Sequence, residues 1–156
     1  MVVRADVQTK AALLEILECF CSGFAARDAE VVMQLFAPDG DVVMVTSEES
    51  LLRGSEEVRA FLHSYAQGTT KYSWAWDRRD VFAAGAVGWL LAVGAETATA
   101  EEGEEQHPYR MSMVCEKRDD RWLLVQVHGS CPHEGQGFPD DSADGSRPGR
   151  ASFIQK

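Results

Sequence analysis

The stretch from Tyr109 to Pro132 constrains the fold most, because two apolar runs flank the polar pair Asp119-Asp120. Strand side chains alternate between two faces, so a two-residue turn at this pair fixes which residues lie opposite one another. We predict a β-hairpin in which Arg118 lies opposite Arg121 and the pairing continues without interruption. Both faces are apolar in the middle, so we expect both to be covered.

The predicted register assigns every pair of this hairpin. One face would pair the following residues: Lys117 with Trp122, Cys115 with Leu124, Met113 with Gln126, Met111 with His128, and Tyr109 with Ser130. At the open end the apolar residues give way to polar ones. A functional site is therefore expected near Tyr109, Arg110, Gln126, His128 and Ser130.

Length and charge limit the class of protein. A chain of 156 residues with 45% hydrophobic and 26% charged residues is typical of one globular domain. Its formal net charge of -10 argues against a nucleic acid or an anionic membrane as a partner, since basic surfaces bind both. No apolar run is long enough to span a bilayer, and Met1–Asp6 does not lead into a signal peptide. We therefore expect a cytoplasmic protein whose partner is a small-molecule ligand.

The first half of the chain predicts three helices. Residues 6–26 carry apolar side chains at helical spacing, from Leu13 to Phe24. Asp28 is expected to cap a second helix that runs through Phe36. A short strand over 41–46 and a return over 51–53 precede a third helix, which we expect Ser55 to cap and Gly68 to end.

From Lys71 onward the hydrophobic period changes from helical to two. Residues 72–83 and 86–97 predict a second long hairpin that turns at Ala84-Gly85, and an acidic segment, residues 101–105, joins it to the last hairpin. With this turn one face would carry Trp74, Trp76, Trp89, Leu91 and Val93. A bulge of one residue would reassign half of them.

The predicted fold class is α+β, a cone-shaped curved antiparallel sheet wrapped on three N-terminal helices. The four long strands would pair as a meander, with the helical stripes on one face of the sheet. Residues 1–132 form this domain. Residues 133–156 are rich in Gly, Pro, Ser and Asp and are expected to be a flexible tail outside it.

Three motifs support a family assignment. They are Arg110-Met111-Ser112, the turn Asp119-Asp120-Arg121-Trp122, and the ending His128-Gly129-Ser130-Cys131-Pro132. With the order of elements, they resemble the nuclear transport factor two-like superfamily, which shares the cystatin-like fold, and within it the SnoaL-like proteins. The resemblance covers about residues 6–132.

The resemblance implies a conical α+β barrel with a pocket between the sheet and the helices, paired into dimers across the sheet. Relatives include polyketide cyclases, ketosteroid isomerases and dehydratases, and also a non-catalytic association domain of calmodulin-dependent kinase. Two functions therefore stay open. One is an acid-base enzyme, an isomerase, cyclase or dehydratase, that binds an apolar, oxygenated ligand; the other is a non-catalytic oligomerisation domain.

His128 and Asp41 are the predicted catalytic residues. An imidazole suits general acid-base work near neutral pH, and the predicted pairing places His128 beside Met111. A hydrogen-bonded structural histidine is the alternative. Asp41 stands at the mouth of the first strand, where a base would fit, although Pro38-Asp39-Gly40-Asp41 is also ordinary turn chemistry.

The remaining predicted site residues would contact the ligand. They are Trp76, Trp89, Tyr109, Arg110, Met113, Gln126 and Ser130. The histidines and cysteines do not have the spacing of metal ligands, so we expect no metal and no cofactor. The two apolar faces of the last hairpin predict a homodimer, since one layer of helices covers only one face.

Overall fold

The computed structural model describes residues 3–48 and 50–132. Over these residues the chain forms three helices and seven strands, in the following order: β1 (Val3–Arg4), α1 (Val7–Ala26), α2 (Ala29–Met33), β2 (Val43–Val45), β3 (Leu51–Arg53), α3 (Gly54–Gln67), β4 (Lys71–Ala84), β5 (Val87–Ala100), β6 (Gly103–Arg118) and β7 (Arg121–Ser130). The predicted tail, residues 133–156, lies outside the described residues.

Helix α1 forms as its apolar spacing predicts. Asp6 caps it by accepting a hydrogen bond from the backbone N–H of Thr9 at 2.9 Å. It ends at Arg27, which is left-handed with a φ of 57°. The apolar stripe of the helix packs into the core, and its buried members include Leu13, Leu17 and Phe20. This stripe orients α1 along the inner face of the sheet.

The two shorter helices differ from the prediction at their ends. Asp28 caps α2 by accepting from Val31 N at 3.0 Å, as expected, but the helix stops at Met33 rather than at Phe36. Phe36 instead forms a parallel bridge with Leu124. Ser55 does not cap α3, whose N-cap residue Arg53 makes no side-chain capping hydrogen bond; the carboxylate of Glu57 instead reaches back and accepts from Arg53 N at 2.7 Å.

The sheet of the described residues is curved and has the order β1-β4-β5-β6-β7-β2-β3. The predicted meander of four long strands is confirmed by the consecutive antiparallel pairs β4–β5, β5–β6 and β6–β7. Strand β2 departs from the antiparallel prediction, because it pairs with β7 in parallel. The bridge from Phe36 already runs beside β7 in this direction, so β2 continues it.

The hairpin of β4 and β5 turns one residue later than predicted, at Gly85-Ala86, with Ala84 opposite Val87. Gly85 has a φ of 62°, which suits glycine at the first position of a two-residue hairpin turn. The pairing is also interrupted at Asp77, since Trp76 lies opposite Gly94 but Arg78 lies opposite Val93, and this extra residue places Trp76 and Trp89 on opposite faces of the sheet. Gly88 then faces inward, where an added Cβ would lie 2.7 Å from a methyl group of Leu13.

The hairpin of β6 and β7 turns at Asp119-Asp120, as predicted, and both residues have positive φ. Its pairing is interrupted, however: Cys115 lies opposite Leu124 but Val114 lies opposite Gln126, which leaves Val125 as an extra residue. This bulge turns Val127 into the core and places Gln126 and His128 on the outer face. The uninterrupted register would have buried both polar side chains, which costs free energy without partners.

The core lies between the helices and the inner face of the sheet. That face supplies alternate residues of β6, including Met111, Met113 and Cys115, each almost fully buried. Leu124 and Val127 of β7 join them on either side of the bulge. None of the described helices has the length and apolarity needed to cross a bilayer.

Candidate functional site

A cavity opens between the inner face of the sheet and helices α1 and α3. Its cavity volume is about 50 Å³, and the empty space rises to about 450 Å³ when the part open to solvent at its mouth is counted. The helices contribute four aromatic side chains to its wall: Phe20, Phe24, Phe61 and Tyr65. The sheet contributes three more: Tyr72, Trp74 and Tyr109. We call this space the aromatic cavity.

Hydrogen bonds hold the outer part of this wall in place. The hydroxyl of Tyr65 donates to the carbonyl of Phe24 at 2.9 Å and accepts from the backbone N–H of Tyr72 at 3.2 Å. The Tyr65 ring lies 5.0 Å from that of Phe24 and 5.9 Å from that of Tyr72, measured between centroids. Tyr65 therefore joins α1, α3 and β4 at the mouth of the cavity.

The predicted site residues do not come together in this cavity. Tyr109 lines it. Met113 and Trp76 point inward but lie deeper in the core, Met113 without any exposed surface. Asp41 is exposed in the turn before β2. The others project from the outer face of the sheet, as the observed pairing requires: Trp89, Arg110, Gln126, His128 and Ser130.

The predicted placement of His128 beside the pocket is therefore wrong. It rested on the pair Met111 with His128, whereas the structure pairs His128 with Ser112 and Met111 with Gly129. His128 is exposed on the face opposite the cavity. The bulge at Val125 is the physical cause, because one extra residue reverses the direction of every later side chain. The same applies to Gln126.

The polar centre of the cavity is Glu96, in β5. Glu96 is only 5% exposed, which is unusual for a residue that can carry a charge. It lies in a row across three strands, with Trp74 opposite on β4 and His107 opposite on β6. The indole Nε1 of Trp74 donates a hydrogen bond to Glu96 Oε2 at 3.0 Å. Among the described residues, no hydrogen bond reaches Oε1.

Burial raises the pKa of Glu96 from 4.5 to about 7, because the apolar wall disfavours the charged form. The hydrogen bond from Trp74 opposes this rise. The Glu48 carboxylate, in the loop between β2 and β3, raises the pKa further, while His107 lowers it. Glu96 is thus a carboxyl group that exchanges its proton near neutral pH.

Tyr109 lies diagonally across from Glu96, since it pairs with Gly94, two residues before Glu96 on β5. Burial raises the pKa of the Tyr109 phenol above its ordinary value of 10.0, and the charge of Glu96 adds to this effect. The phenol reaches over the backbone of Gly129, where an added Cβ would lie 2.0 Å from Tyr109 Oη. The hydroxyl therefore keeps its proton and remains a hydrogen-bond donor at neutral pH.

Glu96 and Trp74 were not among the predicted site residues, although one signal in the sequence pointed to Glu96. Glu96 is the only charged residue in the strand Val87–Ala100. A single carboxylate in an apolar strand lies either at the exposed edge of the sheet or in a buried functional site. Choosing between these required the register of the β4–β5 hairpin, in which the extra residue Asp77 brings Glu96 onto the same face as Trp74.

The arrangement suits acid-base chemistry in an apolar space. It contains a carboxyl group with a pKa of about 7, an indole donor that holds one of its oxygens, and a protonated phenol nearby. Across residues 3–48 and 50–132, no three His, Cys, Asp or Glu side chains cluster as a metal site would require.

Comparison with protein families gives one match, to the SnoaL-like domain, over residues 13–134. The match spans more than half of the chain. The chain belongs to the SnoaL-like domain family. A comparison with curated proteins found no significant match. The family assignment agrees with the fold order and the motifs at Arg110, Asp119 and His128.

Solved structures with the same fold come from several bacteria. A nuclear transport factor 2-like superfamily protein from Salmonella enterica has a TM-score of 0.75 at 19% identity, over 86% of this chain and 100% of that one. A candidate dehydratase of that superfamily from Streptomyces avermitilis has a TM-score of 0.73 at 16% identity, over 82% and 98%. A candidate association domain of calcium/calmodulin-dependent protein kinase II from Xanthomonas campestris has 0.66 at 23%, over 83% and 90%. At these identities the likeness concerns the fold.

Proposed function

We propose that this SnoaL-like protein is an acid-base enzyme that acts, without a cofactor, on an apolar, oxygenated small molecule in the aromatic cavity. One observation carries the proposal. Glu96 is a buried carboxyl group with a pKa of about 7 in a wall of aromatic rings. A catalytic base works best when its pKa lies near the operating pH, and burial is the usual means of raising a carboxyl group to that range.

The chemistry follows from the two protonation states of Glu96. As a carboxylate it removes a proton from a carbon beside a carbonyl group, and the C–H electron pair moves to form an enolate. The phenol of Tyr109 donates a hydrogen bond to the developing oxyanion. Protonated Glu96 then returns the proton to another carbon, to a leaving hydroxyl group or to a new alkoxide. These outcomes are isomerisation, dehydration and cyclisation.

Trp74 positions the base without taking the proton. Its N–H holds Glu96 Oε2, which leaves Oε1 to face the ligand. The same hydrogen bond stabilises the carboxylate and keeps the pKa from rising further. Trp74 therefore sets both the direction and the strength of the base.

Exchange of carbon-bound hydrogen for deuterium tests this proposal without knowledge of the natural reaction. Cyclic ketones such as 2-tetralone are incubated with the protein in deuterated buffer, and the loss of α-proton signal is followed by NMR. We expect exchange above the buffer rate, rising with pH through about 7 as Glu96 loses its proton. Glu96→Gln should abolish it, because the amide cannot accept a proton.

Glu105→Gln is the matched control, since it removes the same charge from an exposed position of β6. Exchange that is equal in the wild type and Glu96→Gln would overturn the proposal, as would exchange no faster than in buffer with every ketone tried. The latter result, together with a large oligomer, would favour the non-catalytic association domain.

We also propose that the protein is a homodimer paired through the outer face of the sheet. Phe82 and Trp89 stack there with ring centroids 5.9 Å apart. Leu91, in the same strand as Trp89, is 42% exposed. An apolar patch of this kind on a sheet face is typical of a protein interface.

A further inference from the structure

The charges around the aromatic cavity have one sign. Among the described residues that line it, Glu48 and Glu96 are carboxylic acids and none is Lys, Arg or His. Arg27, at the C-terminal end of α1, donates its guanidinium hydrogens to the carbonyls of Gly68 and Thr69. An anionic ligand would therefore meet two carboxylates and no counter-charge within the wall.

The rings around Glu96 are set at steep angles to each other. Phe24 and Trp74 meet at 78° with centroids 5.5 Å apart, and Tyr109 lies 5.9 Å from Trp74 at 53°. The face of an aromatic ring carries negative charge density, so rings on several sides of one space attract a cation together. Such a group of rings binds the methyl groups of an ammonium ion without requiring hydrogen bonds.

The carboxylate completes this arrangement. Trp74 satisfies Oε2 of Glu96, whereas no described residue donates to Oε1. A carboxylate in an apolar wall is costly unless an opposite charge approaches it. A positively charged ligand would supply this charge from within the cavity.

The end of the β5–β6 hairpin beyond Glu96 is also negative. The segment Gly103–His107 begins β6 opposite the last residues of β5, and it holds the exposed residues Glu104 and Glu105, which follow Glu101 and Glu102. His107 is the basic group nearest Glu96 in this row, and its Nε2 lies 3.5 Å from a carboxylate oxygen of Glu105. Acidic side chains at this end of the sheet raise the local concentration of cations.

We propose that the aromatic cavity selects a ligand with a single positive charge, an amine or quaternary ammonium group, bound between the aromatic rings and Glu96. The inference rests on the proposed function, because it names the charge of the substrate at the same site. The reacting part of that substrate is still apolar and oxygenated. Its cationic nitrogen supplies binding energy and orientation.

Two isosteric probes isolate the effect of charge. Choline and 3,3-dimethylbutan-1-ol have the same shape, but only choline is charged; 3,3-dimethylbutanoate supplies the opposite charge. Their dissociation constants are measured by isothermal titration calorimetry at about pH 8, above the pKa of about 7 of Glu96. We expect choline to bind at least about tenfold more tightly than the neutral alcohol, and the anion not to bind at millimolar concentration.

Variants then assign the preference to the cavity. Glu96→Gln should weaken choline binding about tenfold and leave the alcohol unchanged. Glu48→Gln alters an exposed residue of the wall, so it keeps the test valid if Glu96→Gln does not fold; we expect a loss of about threefold. Glu15→Gln, with the same charge change at an exposed position of α1 outside the wall, should leave choline binding nearly unchanged.

Binding of the alcohol or the anion as tight as that of choline would overturn the inference, and so would the absence of choline binding. Deuterium exchange of neutral ketones separates this failure from that of the proposed function. If exchange depends on Glu96 while choline shows no preference, the cation inference alone fails. If choline binds through Glu96 while no ketone exchanges, the acid-base function fails instead.

Discussion

Trp74 and Glu96 face each other across β4 and β5, and the indole Nε1 of Trp74 donates to Glu96 Oε2 at 3.0 Å. Each side chain accounts for the position of the other. The indole brings a polar hydrogen into an aromatic wall, where it needs an acceptor, and the carboxyl group needs a donor to be buried at all. The properties of the proposed site follow from this pair.

Replacing Trp74 by Phe should raise the pKa of Glu96 above its value of about 7, because the lost hydrogen bond stabilises the carboxylate. A carbon-13 NMR titration of labelled glutamate carboxyl groups measures this value. Trp122→Phe is the matched control, since Trp122 lies near Leu13 and Gly88, away from Glu96. A pKa of Glu96 that falls or stays the same in Trp74→Phe would contradict the role of the indole.

Replacing Glu96 by Gln should stabilise the protein at high pH. The pKa is raised in the folded state, so the contribution of Glu96 to stability is present below about pH 4.5 and is lost as the pH rises through about 7. One pKa unit corresponds to 1.36 kcal/mol, so the penalty above about pH 8 is up to roughly 3 kcal/mol. Glutamine carries no charge at any pH, so the variant avoids this penalty.

Urea unfolding of both proteins between about pH 4 and pH 8.5 measures this difference. The free energy of unfolding of Glu96→Gln minus that of the wild type should grow as the pH rises across this window. Glu105→Gln, at an exposed position, should show little such growth. A difference that is constant with pH would mean that Glu96 titrates alike in the folded and unfolded states.

Replacing Leu91 by Arg should convert the proposed dimer into a monomer. Leu91 projects from the outer face beside Trp89, and a buried arginine without a partner would oppose association by several kcal/mol. Light scattering at micromolar concentration gives the molar mass of each protein. Val7→Arg, at an exposed apolar position of α1 instead of the sheet, is the control and should stay dimeric. A wild-type monomer would remove the dimer proposal altogether.

The outline of the fold could be predicted because it depends on the spacing of apolar residues along the chain. A register shift of one residue does not change this spacing. The stripe from Leu13 to Phe24 requires a helix packed on a core wherever the helix begins. The turn at Asp119-Asp120 and the order of four long strands are likewise local properties. The family resemblance of the motifs at Arg110 and His128 is consistent with them.

The site could not be predicted in the same way, because strand faces depend on every residue between the turn and the site. An extra residue at Asp77 in β4 and another at Val125 in β7 exchange the two faces for the residues beyond them. They separate Trp89 from Trp76, expose His128, and place Glu96 opposite Trp74. The apolar pair Leu124 and Val127, three residues apart with polar Gln126 between them, was the available sign of the bulge.

The contact between Gly129 and Tyr109 gives a direct test of this bulge. Gly129 faces inward only because Val125 is an extra residue, and a Cβ on it would lie 2.0 Å from Tyr109 Oη. Gly129→Ala should therefore reduce the free energy of unfolding by about 1 to 3 kcal/mol, the usual cost of overpacking. Tyr109→Phe removes the oxygen atom that the new methyl group would meet.

The double variant Gly129→Ala, Tyr109→Phe should consequently be more stable than the sum of the two single effects predicts, with a favourable coupling of about 1 kcal/mol in urea unfolding. Ser130→Ala with Tyr109→Phe is the control pair, because Ser130 lies on the outer face opposite Arg110. Its effects should add within about 0.5 kcal/mol. Additive effects for Gly129 as well would mean that the phenol does not lie over this glycine, and the inward direction of β7 after Val125 would then be wrong.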